Sequence, residues 1–152
     1  MTLGETIISE ARLWIGTPYL HQASVRGAGT DCLGLLRGVW RSVFGEEPES
    51  VPAYTADWAE PSRQEVLLEA ANRRLMPRPI GSAQIGDVLL FRMRDGSIAK
   101  HLGLQSDTSD HPRFIHAYTG YGVVESSLST PWQRRIAARF PAWTIFPISA
   151  GI

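Results

Sequence analysis

Thr30-Asp31-Cys32-Leu33-Gly34-Leu35-Leu36 is the point where a polar, glycine-containing stretch gives way to an apolar helical run. Leu33, Leu36, Val39, Trp40 and Val43 follow on one stripe, at i, i+3, i+6, i+7 and i+10, which predicts a buried helix ended by Gly45. The only cysteine of the chain therefore stands in the first turn of that helix. Unpaired backbone N–H groups and the helix dipole favour negative charge there, so the placement suits a thiolate nucleophile. A buried, inert cysteine acting as a small hydrophobe is the alternative at the same position.

Upstream of this stretch, Ile7, Ile8, Ala11, Leu13, Trp14 and Ile15 recur at near-helical spacing after a capping Thr2, and Gly16-Thr17-Pro18 stops the run. Residues 19–30 carry no apolar period and contain Gly27 and Gly29, which reads as a loop. Downstream, residues 46–61 mix acidic, proline and aromatic residues as a surface excursion in which Trp58 reads as exposed or core-capping. Pro61-Ser62 then opens a third helix with Val66, Leu67, Ala70, Ala71 and Leu75 on its apolar face, ended by Pro77 and Pro79.

After Gly81 the texture changes. Val88-Leu89-Leu90-Phe91, His101-Leu102-Gly103-Leu104, Arg113-Phe114-Ile115-His116-Ala117 and Gly122-Val123-Val124-Glu125 are short apolar runs separated by turn residues, the pattern of one antiparallel sheet. Asp95-Gly96 reads as a hairpin turn, residues 108–112 as a connection, and Trp143-Thr144-Ile145-Phe146 as a closing strand. Arg134, Arg135 and Arg139 read as a solvated helix face. Helices first and sheet second predict an α+β fold.

A chain of 152 residues that is 43% hydrophobic suits one domain with one core, taken here over residues 1–152. Fifteen basic residues balance fifteen acidic ones, so no global field recruits nucleic acid or an anionic membrane. A single cysteine forms no internal disulfide and no thiolate pair for zinc, and neither a cofactor nor a metal is expected. No apolar run approaches the roughly 20 residues of a membrane span. Nor does the N-terminus carry the basic segment and apolar core of a secretory signal, so the expectation is a chain made in the cytoplasm.

A nucleophilic thiol needs a general base, and the base needs a third group to hold its orientation. Of the four histidines, His21 falls in a loop and His111 in a turn, while His101 and His116 stand in strands. His101 alternates with Gly103 and Gln105, and His116 with Phe114 and Tyr118, so adjacent antiparallel strands can bring the two imidazoles onto one face. Cys32, His101 and His116 can fill the three roles, against the alternative of half-buried, satisfied strand histidines. A Cys/His zinc site is disfavoured because no two ligands are closely spaced.

Gly16-Thr17-Pro18-Tyr19, Asp31-Cys32-Leu33-Gly34-Leu35, Gly86-Asp87-Val88-Leu89-Leu90-Phe91, His101-Leu102-Gly103-Leu104 and Ile115-His116-Ala117, in that order, resemble the NlpC-type cysteine peptidases of cell-wall turnover. The region with Val123-Val124-Glu125 and Trp132-Gln133-Arg134-Arg135-Ile136 is similar to the cell-wall peptidases of phage-tail and gene-transfer-agent clusters. The resemblance implies a papain-like α+β fold and an endopeptidase acting on peptidoglycan stem peptides, with Cys32 attacking the amide, His101 as base and acid, and His116 orienting His101. It further implies substrate contacts from Tyr19 and from Asp31, which can equally cap the helix, and an oxyanion donor in the Cys32 backbone N–H. Phage-like tail proteins become candidate partners, and a particle-borne enzyme reaching the periplasm or wall becomes the expected localisation. Leu33 stands where the family usually has serine, and Leu20-His21-Gln22-Ala23 where paired glycines are common. Two other readings share the framework: an amidase or acyltransferase, and a tail-hub component without activity.

Overall fold

The computed structural model describes residues 1–45, 68–69, 72, 76–94 and 96–141. The excursion over 46–61 with Trp58, the apolar face expected at Val66, Leu67, Ala70, Ala71 and Leu75, Asp95 and the expected strand at residues 143–146 lie outside the described residues.

Helix α1 (Leu3–Arg12) begins where Thr2 Oγ1 accepts the Glu5 N–H at 3.1 Å, and it buries Ile7, Ile8 and Ala11. It ends a turn earlier than the sequence spacing predicts: Leu13 and Ile15 are exposed, and of that group only Trp14 returns to the core. The stretch after Tyr19 is more ordered than a plain loop. Strands β1 (Ser24–Val25) and β2 (Gly29–Thr30) pair as a small antiparallel hairpin, and the Ser24 hydroxyl donates to the Gly34 carbonyl at 2.6 Å.

Helix α2 (Cys32–Phe44) is closed by Gly45 at φ 85°, a left-handed position where a side chain would be strained. Its buried face is Cys32, Gly34, Leu35, Gly38, Val39 and Trp40, rotated from the predicted stripe, so that Leu33, Leu36 and Val43 are only partly buried. Gly34 and Gly38 explain the rotation. A Cβ at Gly38 would strike the Trp14 indole and one at Gly34 the Ala23 carbonyl, so the helix packs most closely through residues that carry no hydrophobic signal.

Five strands follow: β3 (Val88–Arg92), β4 (Ala99–Asp107), β5 (Arg113–Tyr118), β6 (Gly122–Ser127) and, after the short helix α3 (Thr130–Arg134), β7 (Ile136–Phe140). They form one antiparallel sheet in the order β6-β5-β4-β3-β7. Alternation divides the sheet. Val88, Leu90, Leu102, Leu104, Ile115, Ala117 and Val123 join Ile7, Leu35, Val39 and Trp40 in the main core, whereas Leu89, Phe91 and Phe114 meet Leu128 and Trp132 in a second cluster. Among the described residues no helix is long and apolar enough to cross a membrane.

Strand β7 corrects the reading of Arg139. Rather than a solvated helix face, Arg139 lies in β7 with 2% of its surface exposed. Its guanidinium donates to Asp87 Oδ2 at 3.0 Å, to Gln105 Oε1 at 2.8 Å and to the Ile80 carbonyl at 3.0 Å. A buried charge persists only when paired and hydrogen-bonded in this way. Replacing Arg139 by leucine leaves the equally buried Asp87 with the Gln84 N–H at 3.1 Å and, as its one neighbouring cation among the described residues, Arg78 at 3.5 Å. Arg139→Leu is expected to lower the unfolding free energy by roughly 3 kcal/mol in urea titration. A loss below about 0.5 kcal/mol, the range of ordinary surface substitutions, would contradict that reading.

Candidate active site

Asp31 is 2% exposed, and both carboxylate oxygens accept backbone hydrogen bonds at 2.7 Å, Oδ1 from Gly34 N–H and Oδ2 from Gln22 N–H. It caps α2 and ties the preceding loop to the helix start. Leu20 N–H donates to the Thr30 carbonyl and Thr30 N–H to the Pro18 carbonyl, each at 3.0 Å, which straps Tyr19 alongside the same turn. Tyr19 is partly buried against the core, its hydroxyl bonded to the Thr119 side chain and within the electrostatic reach of Cys32 and Asp31. Burial above all raises the Tyr19 pKa.

The Cys32 thiol is buried and donates to the Lys100 carbonyl at 3.9 Å, the peptide that joins Lys100 to His101 at the start of β4. Backbone N–H groups of Leu102, Leu33 and Cys32 face the sulfur and favour its charged form, the last two being the helix-end groups anticipated from the sequence. They do not prevail. Burial and the neighbouring Asp31 charge push the thiol up to about 12, so the placement that suggested an easily ionised cysteine yields a protonated one.

His101 and His116 meet on the sheet face turned away from the main core, His101 Nε2 lying 2.7 Å from His116 Nδ1. The other His116 nitrogen, Nε2, is 2.9 Å from Ser126 Oγ. Aromatic rings enclose the pair: Phe114 and Tyr118 lie beside His116, while Trp132 of α3 packs against both imidazoles. His116 is fully buried and His101 7% exposed. Burial, reinforced by the adjacent His116, depresses His101 to about 3, and burial depresses His116 to about 4. Both imidazoles are neutral at pH 7.

The two other histidines do not join them. His21 Nδ1 approaches Asp31 Oδ2 at 3.9 Å from a largely exposed position, and His111 is exposed in the connection between β4 and β5. Among the described residues no three His, Cys, Asp or Glu side chains come together in a way that could hold a metal ion. Ser126 and Trp132 escaped the sequence analysis as members of this cluster. Ser126 was within reach of a register count: the β5–β6 hairpin pairs Tyr118 with Gly122 and His116 with Val124, which puts Ser126 diagonally next to His116. Trp132 arrives from a short helix beyond the sheet, and no spacing signals that.

The buried neutral histidines set a pH dependence. Their folded-state values lie below the ordinary 6.5, so the unfolded chain binds more protons below pH 6.5 and stability falls as the pH drops toward 4. Each histidine adds a slope of up to about 1.4 kcal/mol per pH unit. Urea titrations between pH 6.5 and 5 are expected to show this loss, and His116→Gln to reduce its slope by about half. An unchanged slope in that variant would contradict the neutral, buried state of His116.

Comparison with known proteins agrees with this architecture. The model of the NlpC/P60 family matches residues 16–139. The chain is 30% identical over 123 residues to the murein DD-endopeptidase MepS/murein LD-carboxypeptidase of Escherichia coli, an alignment covering 80% of this chain and 54% of that protein. It is 26% identical over 136 residues to a probable endopeptidase of Haemophilus influenzae, covering 86% of this chain and 72% of the relative. The chain thus spans about half the length of MepS. Among solved structures, the NlpC/p60 domain of the peptidoglycan hydrolase SagA superposes with a TM-score of 0.62 at 23% identity, covering 91% of this chain and 98% of that domain. A lipoprotein-like NLP/P60 protein of Staphylococcus aureus gives 0.60 at 22% identity, covering 91% and 41%. None of these relatives is named for a phage tail or a gene-transfer particle. The match runs from the turn before Tyr19, through the capped cysteine and both strand histidines, to the buried Arg139, and the chain belongs to the NlpC/P60 family.

Proposed function

We propose that this chain, read as one peptidase domain over 1–152, is a cysteine endopeptidase hydrolysing peptide bonds of bacterial peptidoglycan stem peptides. Cys32 is its nucleophile, His101 its base and acid, and His116 the partner that orients His101. The observation that carries the reading is the buried 2.7 Å bond between His101 Nε2 and His116 Nδ1, with His101 on a strand whose opening backbone, at the Lys100 carbonyl, receives the Cys32 thiol. That bond leaves His101 Nδ1 as the nitrogen available to the thiol. Family membership and the murein-cleaving relatives support the substrate class.

The chemistry follows from the protonation states. A lone thiolate would be a buried anion beside Asp31, and a lone imidazolium a buried cation beside neutral His116. Charge therefore develops on both groups together: Sγ attacks the substrate carbonyl carbon as its proton passes to His101 Nδ1. The Cys32 and Leu33 N–H groups that face the sulfur are placed to receive the oxyanion. His101 then protonates the leaving amine, the C–N bond breaks and a thioester remains. Water attacks the thioester, giving its proton to His101, and the sulfur departs to recover it. Tyr19, held near Cys32 by the strap to Thr30, lines the approach for substrate, whereas Asp31 holds the helix start with Oδ1 and the loop at Gln22 with Oδ2.

A framework without activity is favoured by one observation, the protonated thiol beside Leu33. Digestion of purified wall peptides separates the readings. Wild type is expected to release cleaved stem peptides detectable by mass spectrometry, and Cys32→Ala to release none; equal products from both would sink the catalytic assignment, and transfer products in place of hydrolysis would point to an acyltransferase. We further infer particle-borne delivery to the wall from the resemblance of residues 123–136 to tail-encoded peptidases. Co-sedimentation with particles from lysates supports this, and protein found only free removes it.

Iodoacetamide labelling tests the coupling of thiol and base. In His101→Gln the thiol keeps its own raised pKa, so labelling is expected to be slow at pH 7 and to climb about tenfold per pH unit up to pH 10. A plateau below pH 9 would overturn the raised value.

A further inference from the structure

We propose that Ser126 is a positioning residue whose hydroxyl accepts the His116 Nε2 proton and so selects the tautomer in which His101 can act as a base. The inference rests on the peptidase reading of Cys32 and His101. Its footing is geometric: three side chains on adjacent strands β4, β5 and β6 form a continuous chain, His101 Nε2 to His116 Nδ1 at 2.7 Å and His116 Nε2 to Ser126 Oγ at 2.9 Å.

A neutral imidazole carries one proton, so this chain has two self-consistent directions. In the outward direction His101 Nε2–H donates to His116 Nδ1, and His116 Nε2–H donates to Ser126 Oγ. His101 Nδ1 then bears a free lone pair and can take the thiol proton. In the inward direction Ser126 O–H donates to His116 Nε2, and His116 Nδ1–H donates to His101 Nε2. His101 Nδ1 then already carries its proton and cannot serve as a base.

Satisfaction of donors decides between them. Ser126 is partly exposed, so in the outward direction its own O–H can turn to water while every buried N–H has a nitrogen or oxygen acceptor. On the peptidase reading the inward direction aims His101 Nδ1–H toward Cys32, whose sulfur is a weak acceptor and whose thiol is bonded to the Lys100 carbonyl instead. Removing the hydroxyl reverses this preference. His116 Nε2–H would become an orphaned buried donor, a rarer and costlier condition than an under-satisfied acceptor, so the pair would adopt the inward tautomers. No carboxylate bonds to His116 among the described residues, so the acceptor that holds the outward direction is an uncharged hydroxyl.

The test is ¹⁵N NMR of the full chain labelled at histidine, together with peptide hydrolysis. In wild type both imidazoles are expected in the Nε2–H form. Ser126→Ala is expected to move His116 to Nδ1–H and to lower kcat/KM at least about tenfold at unchanged melting temperature, because the base-competent form is depleted. Ser126→Thr, which restores a hydroxyl, is expected to recover both the tautomers and the rate. Wild-type His116 found as Nδ1–H, or Ser126→Ala with unchanged tautomers, would overturn the proposal; the wild-type spectrum decides this even if the alanine variant fails to fold. A tautomer switch in a protein with no hydrolytic activity would leave the role of Ser126 standing and overturn the peptidase reading instead.

Discussion

The buried carboxylate of Asp31 holds two backbone N–H groups at once, one from the loop at Gln22 and one from the helix at Gly34, and the geometry of the cysteine depends on that double grip. Through it the chain turns from extended backbone into α2 with Cys32 as the first helical residue. The loop it fixes is strapped to the hairpin that carries Tyr19 to the same turn. The same carboxylate also places a negative charge next to the thiol, which opposes ionisation. Position and electrostatics pull in opposite directions at this site, and burial decides in favour of the protonated thiol.

That outcome gives the histidine pair its importance. In the proposed mechanism a cysteine that does not ionise alone gives up its proton as it attacks, and the buried, neutral His101 is the acceptor assigned to that step. Phe91, Phe114 and Trp132 keep water from the far side of the sheet, which strengthens every dipole that faces the imidazoles. The hydrogen-bond chain leading to Ser126 orients the rings without adding a second charge to that apolar setting.

Much of this architecture is legible along the chain. The period of Ile7, Ile8 and Ala11, the Thr2 and Asp31 caps, the left-handed Gly45 and the alternating runs at Val88, Leu102, Phe114 and Val123 locate α1, α2 and four of the five strands. Where the reading departs from the structure, the missing signal is non-local. Gly34 and Gly38 carry no hydrophobic weight yet lie against Ala23 and Trp14, turning the helix away from its apparent stripe. Arg139 looks like a surface residue until β7 adds to the sheet edge and brings it onto Asp87 and Gln105.

Cap, helix, antiparallel strands and the shared face of the two histidines follow from local chemistry: side-chain period, backbone N–H groups that need partners, and the pleat of neighbouring strands. These features single out the cysteine and the two imidazoles as candidates and indicate the family's fold before any coordinates. Protonation states do not follow from them, because a pKa answers to the total burial of a group and to charges brought near it by distant segments. Cys32 is a helix-end thiol in sequence and a desolvated, protonated one in the fold. Packing of α2 on the sheet settles the difference at Cys32, and the cover from Trp132 encloses the imidazoles, since each joins residues far apart in the chain.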